Sequence, residues 1–169
     1  MRVFARAMRC TRRLLPALGL WSAALCAQAP VQEVHGTSDT FAGHGVAIAW
    51  GVLRGATEAS TFVVLRIAAD PARFSQVAAD GIDPFSKERQ PVAAERPLGA
   101  SADIRIPRAR FADFPRTELR FSKPGAQPAL VVYYLGVPDT TPEFAAESSL
   151  DAHLAQSLSR LRANIRKTP

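Results

Sequence analysis

The sequence predicts an α+β or mostly β domain: an antiparallel sheet or small sandwich of about five to seven strands with a C-terminal amphipathic helix. Two observations support this prediction. Short segments rich in β-branched and aromatic residues recur along the chain, and each is bounded by Gly, Pro, Asp or Ser. Near the C-terminus, leucine and isoleucine instead recur every three or four residues, which is the period of a helix.

Five segments are predicted as strands: residues 46–53, 61–68, 102–106, 117–121 and 129–135. In the third and fourth, apolar and charged residues alternate, so one side of each strand is expected to face solvent. The first, second and fifth are apolar on both sides and are expected to be central strands. The short polar connection between the first two predicts a hairpin, and a weaker sixth strand is predicted at 31–35.

Two helices are predicted. Asp70 and Pro71 form an N-terminal helix signal and Gly81 a C-terminal one, so a short helix is expected between them. The C-terminal helix is expected to begin at Ser148 or Ser149. One apolar face of it carries Leu150, Leu154, Leu158, Leu161 and Ile165.

The stretch 82–99 differs from the rest of the chain. It combines three prolines with charged residues and has no sustained periodicity, which predicts a long surface loop, either functional or disordered. Asp80, just before this stretch, and Asp83, at its start, are interpreted as solvated turn residues.

The first 27 residues have the organisation of a cleavable signal peptide: an arginine-rich start, an apolar run over 14–25, then small residues. The apolar run is shorter than the roughly 18 residues needed to span a bilayer, so no permanent membrane span is expected. The sequence therefore predicts a signal peptide at 1–27 and a single globular domain at 28–169 that is periplasmic or secreted, in a bacterial cell envelope.

Charge and cysteine content limit the function. The net charge of +6 arises mainly from five arginines inside the signal segment, so the remaining chain is close to neutral and a poor candidate for nucleic-acid binding. Both cysteines, Cys10 and Cys26, also lie there. The mature domain is thus expected to be cysteine-free, with no disulfide and no thiolate nucleophile.

Two groups of residues are candidate sites. His35 and His44 flank a glycine-containing segment with Asp39 between them, a ligand set that copper or zinc accepts. Arg105, Arg108 and Arg110 are candidates for a ligand or partner surface, together with the adjacent pair Tyr133 and Tyr134.

No nucleophile elbow, phosphate-binding loop or calcium loop is present in the sequence. The favoured hypothesis is therefore an exported, non-catalytic binding or accessory protein without a cofactor, whose partner is an envelope protein or a small ligand. A periplasmic copper or zinc protein that uses the loop histidines is the first alternative, and a small hydrolase is the second.

Overall fold

The computed structural model describes residues 31–35, 38–113, 116–124, 128–134 and 141–165. The proposed signal peptide and both cysteines lie outside these residues. For Asp39, Tyr133 and Tyr134, only the backbone is described.

The described residues form nine strands and three α-helices. The strands are β1 (Gln32–His35), β2 (Val46–Leu53), β3 (Phe62–Ala69), β4 (Gln76–Ile82), β5 (Arg89–Pro97), β6 (Ala102–Pro107), β7 (Arg116–Ser122), β8 (Leu130–Tyr134) and β9 (Glu143–Phe144). The helices are α1 (Ser38–Ala42), α2 (Arg108–Asp113) and α3 (Glu147–Ile165). None of the helices in this part of the chain is long and apolar enough to span a membrane.

The strands form two sheets. The five-stranded sheet has the order β1-β8-β7-β4-β5, and the four-stranded sheet has the order β6-β3-β2-β9. Most neighbours are antiparallel, but β1 runs parallel to β8 and β9 runs parallel to β2, so both sheets are mixed. The predicted class, mostly β in a sandwich-like arrangement with a C-terminal helix, is confirmed.

The two sheets face each other across one hydrophobic core. Ile48, Leu65 and Ile104 of the four-stranded sheet belong to the same buried cluster as Leu119 and Phe121 of the five-stranded sheet. Because side chains alternate along a strand, each sheet also has an outer face. The outer faces therefore determine what the protein presents to other molecules.

Helix α3 covers the outer face of the four-stranded sheet. Leu150, Leu154 and Leu158 are buried there against small side chains of β2, namely Ala47 and Ala49. Gly51 continues this row, and a Cβ atom at Gly51 would lie only 2.6 Å from Leu150 Cδ1. The predicted apolar face of the helix is thus confirmed, and it is fitted closely to the strand beneath it.

The predicted strands and the hairpin between β2 and β3 are present. Strand β2 has the predicted bounds, and β1 corresponds to the weaker prediction at 31–35. Strands β2, β3 and β8 each have a neighbour on both sides, as their apolar sequences suggested.

Two predictions about the middle of the chain are wrong. The segment 70–81 forms one turn and then strand β4, because Val77 and Ala79 are buried between the sheets and pair with β7. The segment 82–99 is mainly strand β5, which pairs with β4 and forms one edge of the five-stranded sheet. Edge strands tolerate proline because one side of their backbone needs no partner, which explains Pro91.

Candidate functional site

A row of polar residues crosses the outer face of the five-stranded sheet. Asp80 of β4 is paired in register with Glu118 of β7, which is paired with Tyr133 of β8. Tyr133 is in turn paired with His35 of β1. Val34, Ala79 and Leu119, which neighbour His35, Asp80 and Glu118 along their strands, lie in the core, so these three residues belong to the opposite face.

The two carboxylates of this row are buried. Asp80 is 3% exposed and Glu118 is 1% exposed. The alternating pattern of β7 and the position of Asp80 predicted solvated side chains, so both expectations are wrong. Two like charges directly opposite each other destabilise a sheet unless cations offset them.

Two arginines supply that offset. Arg120 Nη2 lies 2.7 Å from Asp80 Oδ2, and Arg120 Nε lies 3.8 Å from Glu118 Oε1. Arg89 Nε lies 3.0 Å from Glu118 Oε2 and donates a hydrogen bond to it. Two acids and two bases thus form a charge-balanced network whose arginines reach the solvent.

A cavity of about 520 Å³ lies beside this network. Its polar wall consists of Asp80, Arg120, Glu95 and Ser122, and the Ser122 hydroxyl donates a hydrogen bond of 3.3 Å to Glu95 Oε1. Its apolar wall consists of Ala78, Pro91, Ala93, Ala94 and Pro128. The pairing of β4 with β5 changes register on both sides of Ala79, and such irregularities bend a strand and redirect its side chains.

Two polar atoms at this cavity lack hydrogen bonds. Asp80 Oδ2 and Arg120 Nε are both buried, and neither has a hydrogen-bond partner in the structure, although Oδ2 is in ion-pair contact with the same guanidinium. Their charges are nevertheless offset, since Asp80 Oδ2 lies 2.7 Å from Arg120 Nη2 and Arg120 Nε lies 3.8 Å from Glu118 Oε1.

The arginines singled out from the sequence lie elsewhere. Arg105 forms an ion pair with Glu147 at the start of α3, and Arg108 Nη1 lies 2.9 Å from Glu143 Oε1. Arg110 is an exposed residue of α2. Tyr133 lies in the polar row by register, and Tyr134 is paired with Thr117 at the end of β8. The structure therefore brings only Tyr133 into line with the carboxylates.

The candidate metal ligands lie in different elements. His35 ends the edge strand β1, whereas His44 follows α1 in a turn, where its carbonyl accepts a hydrogen bond of 2.9 Å from Arg73 Nη1. Asp39 lies within α1. No group of three His, Cys, Asp or Glu residues that could hold a metal is found in the described ranges. A copper or zinc site at the two histidines stays a prediction.

Sequence reasoning missed Asp80, Glu118 and Glu95 as site residues. No sequence signal marked Glu118: β7 is central to its sheet, where a charged residue needs a partner on a neighbouring strand, but this position follows from the topology and not from the alternating sequence. The identity of that neighbour depends on the register with β4, which the sequence does not specify.

The cavity offers a carboxylate, a guanidinium, a second carboxylate and a hydroxyl within one polar wall. This set binds polar groups of either charge, and the described wall includes no His or Cys that would act as a general base or nucleophile. No family model matches the chain, and neither a curated protein nor a solved structure shows significant similarity to it.

Proposed function

We propose that the chain is an exported, non-catalytic binding protein of the bacterial cell envelope that holds a small polar ligand in the cavity beside Asp80 and Arg120. The observation that carries the proposal is the polar wall of this cavity, in which Asp80, Glu95, Arg120 and Ser122 lie together.

The chemistry of the wall selects a zwitterion. The wall combines the carboxylate of Asp80 with the guanidinium of Arg120, and an α-amino acid complements both charges with its ammonium and carboxylate groups. Glu95 provides a second carboxylate for the ammonium group. The cavity volume of about 520 Å³ falls within the usual range for small-molecule sites, roughly 300–1,000 Å³.

Binding rather than catalysis is favoured by what the hydroxyl of Ser122 does. It donates to Glu95 at 3.3 Å, and the described wall of the cavity holds no histidine that would complete a Ser-His-acid triad. A covalent reaction of the folded protein with a serine-directed probe would favour the hydrolase alternative instead.

Isothermal titration calorimetry of the exported protein with glycine, L-alanine, L-glutamate and L-lysine tests the proposal. We expect saturable binding of at least one of them. Asp80→Asn and Arg120→Gln should each weaken it tenfold or more, because each removes one charge that the ligand contacts. Asp83→Asn and Arg54→Gln are matched controls outside the cavity and should bind like the wild type.

Circular dichroism establishes that each variant is folded before it is titrated. If the folded wild type binds none of the four amino acids, the proposed ligand class is wrong. If an amino acid binds equally to the Asp80 and Arg120 variants and the wild type, the assigned site is wrong. A native mass spectrum that shows a protein partner and no small molecule would favour the accessory role over ligand binding.

A further inference from the structure

The polar wall of the cavity beside Asp80 is ordered along the direction of its strands. Asp80 is paired in register with Glu118 of β7. Further along β7, on the same face, come Arg120 and then Ser122, whose hydroxyl donates its hydrogen bond to Glu95 Oε1. At a rise of roughly 3.4 Å per residue, the strand from position 118 to position 122 spans about 13 Å. The wall therefore presents a carboxylate, then a guanidinium, then a second carboxylate.

The two carboxylates of the wall differ in what offsets their charge. Asp80 Oδ2 lies 2.7 Å from Arg120 Nη2 and belongs to the charge-balanced network. Glu95 is exposed and lies outside this network. Within the described ranges its polar contact is the Ser122 hydroxyl, and no Lys or Arg forms an ion pair with it. The network and Glu95 together therefore carry one net negative charge at neutral pH.

The surface between these two carboxylates is apolar. Pro91 of β5 is paired in register with Asp80, and Glu95 comes four residues later on the same strand. Pro91 and Ala94 line the cavity along this interval, and both are exposed. An alkyl chain that lies on them connects a group at Asp80 with a group at Glu95.

We infer that the ligands of this cavity are basic α-amino acids, of which L-lysine is the model, an inference that rests on the binding function proposed above. The α-ammonium and α-carboxylate groups of such a ligand complement Asp80 and Arg120, and its side-chain ammonium group complements Glu95. A neutral amino acid has one ammonium group for two carboxylates and leaves one of them without a cation. The basic amino acid complements both and brings the net charge of the site to zero.

L-Lysine, L-norleucine and cadaverine form a matched set of probes. Norleucine has the carbon chain of lysine without the terminal ammonium group, and cadaverine is lysine without the carboxylate. In isothermal titration calorimetry of the exported protein, we expect lysine to bind about fivefold more tightly than norleucine, as a partly exposed ion pair would give. Cadaverine should bind more weakly than lysine, because it offers Arg120 no acceptor. The preference for lysine should shrink as the ionic strength is raised.

Two variants that each remove one negative charge locate the preference. Glu95→Gln should reduce the ratio of the lysine affinity to the norleucine affinity to about one, because it removes the charge that the side-chain ammonium group contacts. Glu88→Gln makes the same change at an exposed residue between β4 and β5 that does not line the cavity, and it should keep the wild-type ratio. Circular dichroism establishes that both variants are folded.

The outcomes separate this inference from the binding function on which it rests. If norleucine binds and lysine binds no better, or if Glu95→Gln keeps the preference for lysine, the assignment to basic amino acids is overturned while an amino-acid site remains. If none of the three probes and no other amino acid binds, the binding function itself is wrong, and the inference fails with it.

Discussion

The close contact between α3 and strand β2 leads to a quantitative prediction for Gly51→Ala. The added Cβ would lie 2.6 Å from Leu150 Cδ1 and 3.3 Å from Phe144 Cε2. The first distance is shorter than carbon atoms tolerate, so Leu150 must change rotamer or α3 must move away from the sheet. Overpacking of this kind costs about 1 to 3 kcal/mol of unfolding free energy.

The backbone itself does not oppose the substitution. Positive φ angles at glycine occur at Gly45 and Gly99 and not at Gly51, so alanine fits the local conformation. Replacing glycine by alanine at such a position normally stabilises a protein by about 0.4 to 1 kcal/mol, through the unfolded chain. The predicted loss therefore arises from side-chain contacts, mainly the 2.6 Å contact with Leu150.

A double-mutant cycle isolates that contact. Leu150→Ala removes a buried side chain and should cost about 2 to 5 kcal/mol. In that background the methyl group introduced by Gly51→Ala enters the vacated space, so the second substitution should be neutral or stabilising. The double variant should then be more stable than the sum of the single effects by about 1 to 3 kcal/mol.

Urea unfolding followed by circular dichroism gives the four free energies of the cycle. An additive result, in which Gly51→Ala costs the same with leucine or alanine at position 150, would refute the reasoning. So would a single Gly51→Ala variant that is as stable as the wild type.

Two further predictions concern charged residues. The backbone N–H of Ser86, above all, lowers the pKa of Asp83 by hydrogen bonding to its carboxylate, so the hairpin turn should be stabilised above the unfolded pKa of about 3.9 and lose this stabilisation as the pH falls through the lower folded value. Amide resonances of the turn should show this change, and Asp83→Asn should abolish it while keeping the turn. Arg89→Ala should cost about 3 kcal/mol in urea unfolding because it strips the buried Glu118 of a partner. Arg54→Ala, whose carboxylate partner is 29% exposed, should cost less than about 1 kcal/mol, and equal losses would contradict the role of burial.

The strands of the core were predictable because their pattern is set by burial. Strand β2 is apolar on both sides since one face meets the other sheet and the other meets α3. Strand β6 alternates because Ile104 lies in the core while Arg105 does not. A strand that is buried on one face alternates apolar and polar residues, and a strand that is buried on both faces is apolar throughout. Both patterns can be recognised in the sequence.

The segment after Asp70 shows where local signals are insufficient. The capping prediction was partly correct: Asp70 Oδ1 accepts a hydrogen bond of 2.9 Å from the Ala72 N–H, and Phe74 N donates to Asp70 O. One turn forms, but the following residues gain more by pairing with β7 than by continuing a helix. Tertiary pairing overrides a local preference that amounts to a fraction of a kcal/mol per residue.

The candidate site was largely hidden from sequence reasoning for a related reason. Asp80 and Glu118 lie far apart in the chain and meet only through the register of β4 with β7. Neither residue differs in its local sequence from a solvated charge. The sheet buries both carboxylates, and Arg120, which lies in the same strand as Glu118, offsets their charge. No short sequence motif encodes either property.

The two parallel pairings have a consequence for the order in which the chain assembles. Strand β1, near the start of the described residues, pairs with β8, which comes late in the chain. Strand β9 also comes late, and it pairs with β2, which comes early. Long-range pairings of this kind form slowly, because a large loop must close before they yield any contact. Both sheets should therefore build outward from their antiparallel strands, and the parallel edges should close last. Until β8 has formed, β1 stays unpaired, so this edge of the five-stranded sheet is the one most exposed to wrong pairing during folding.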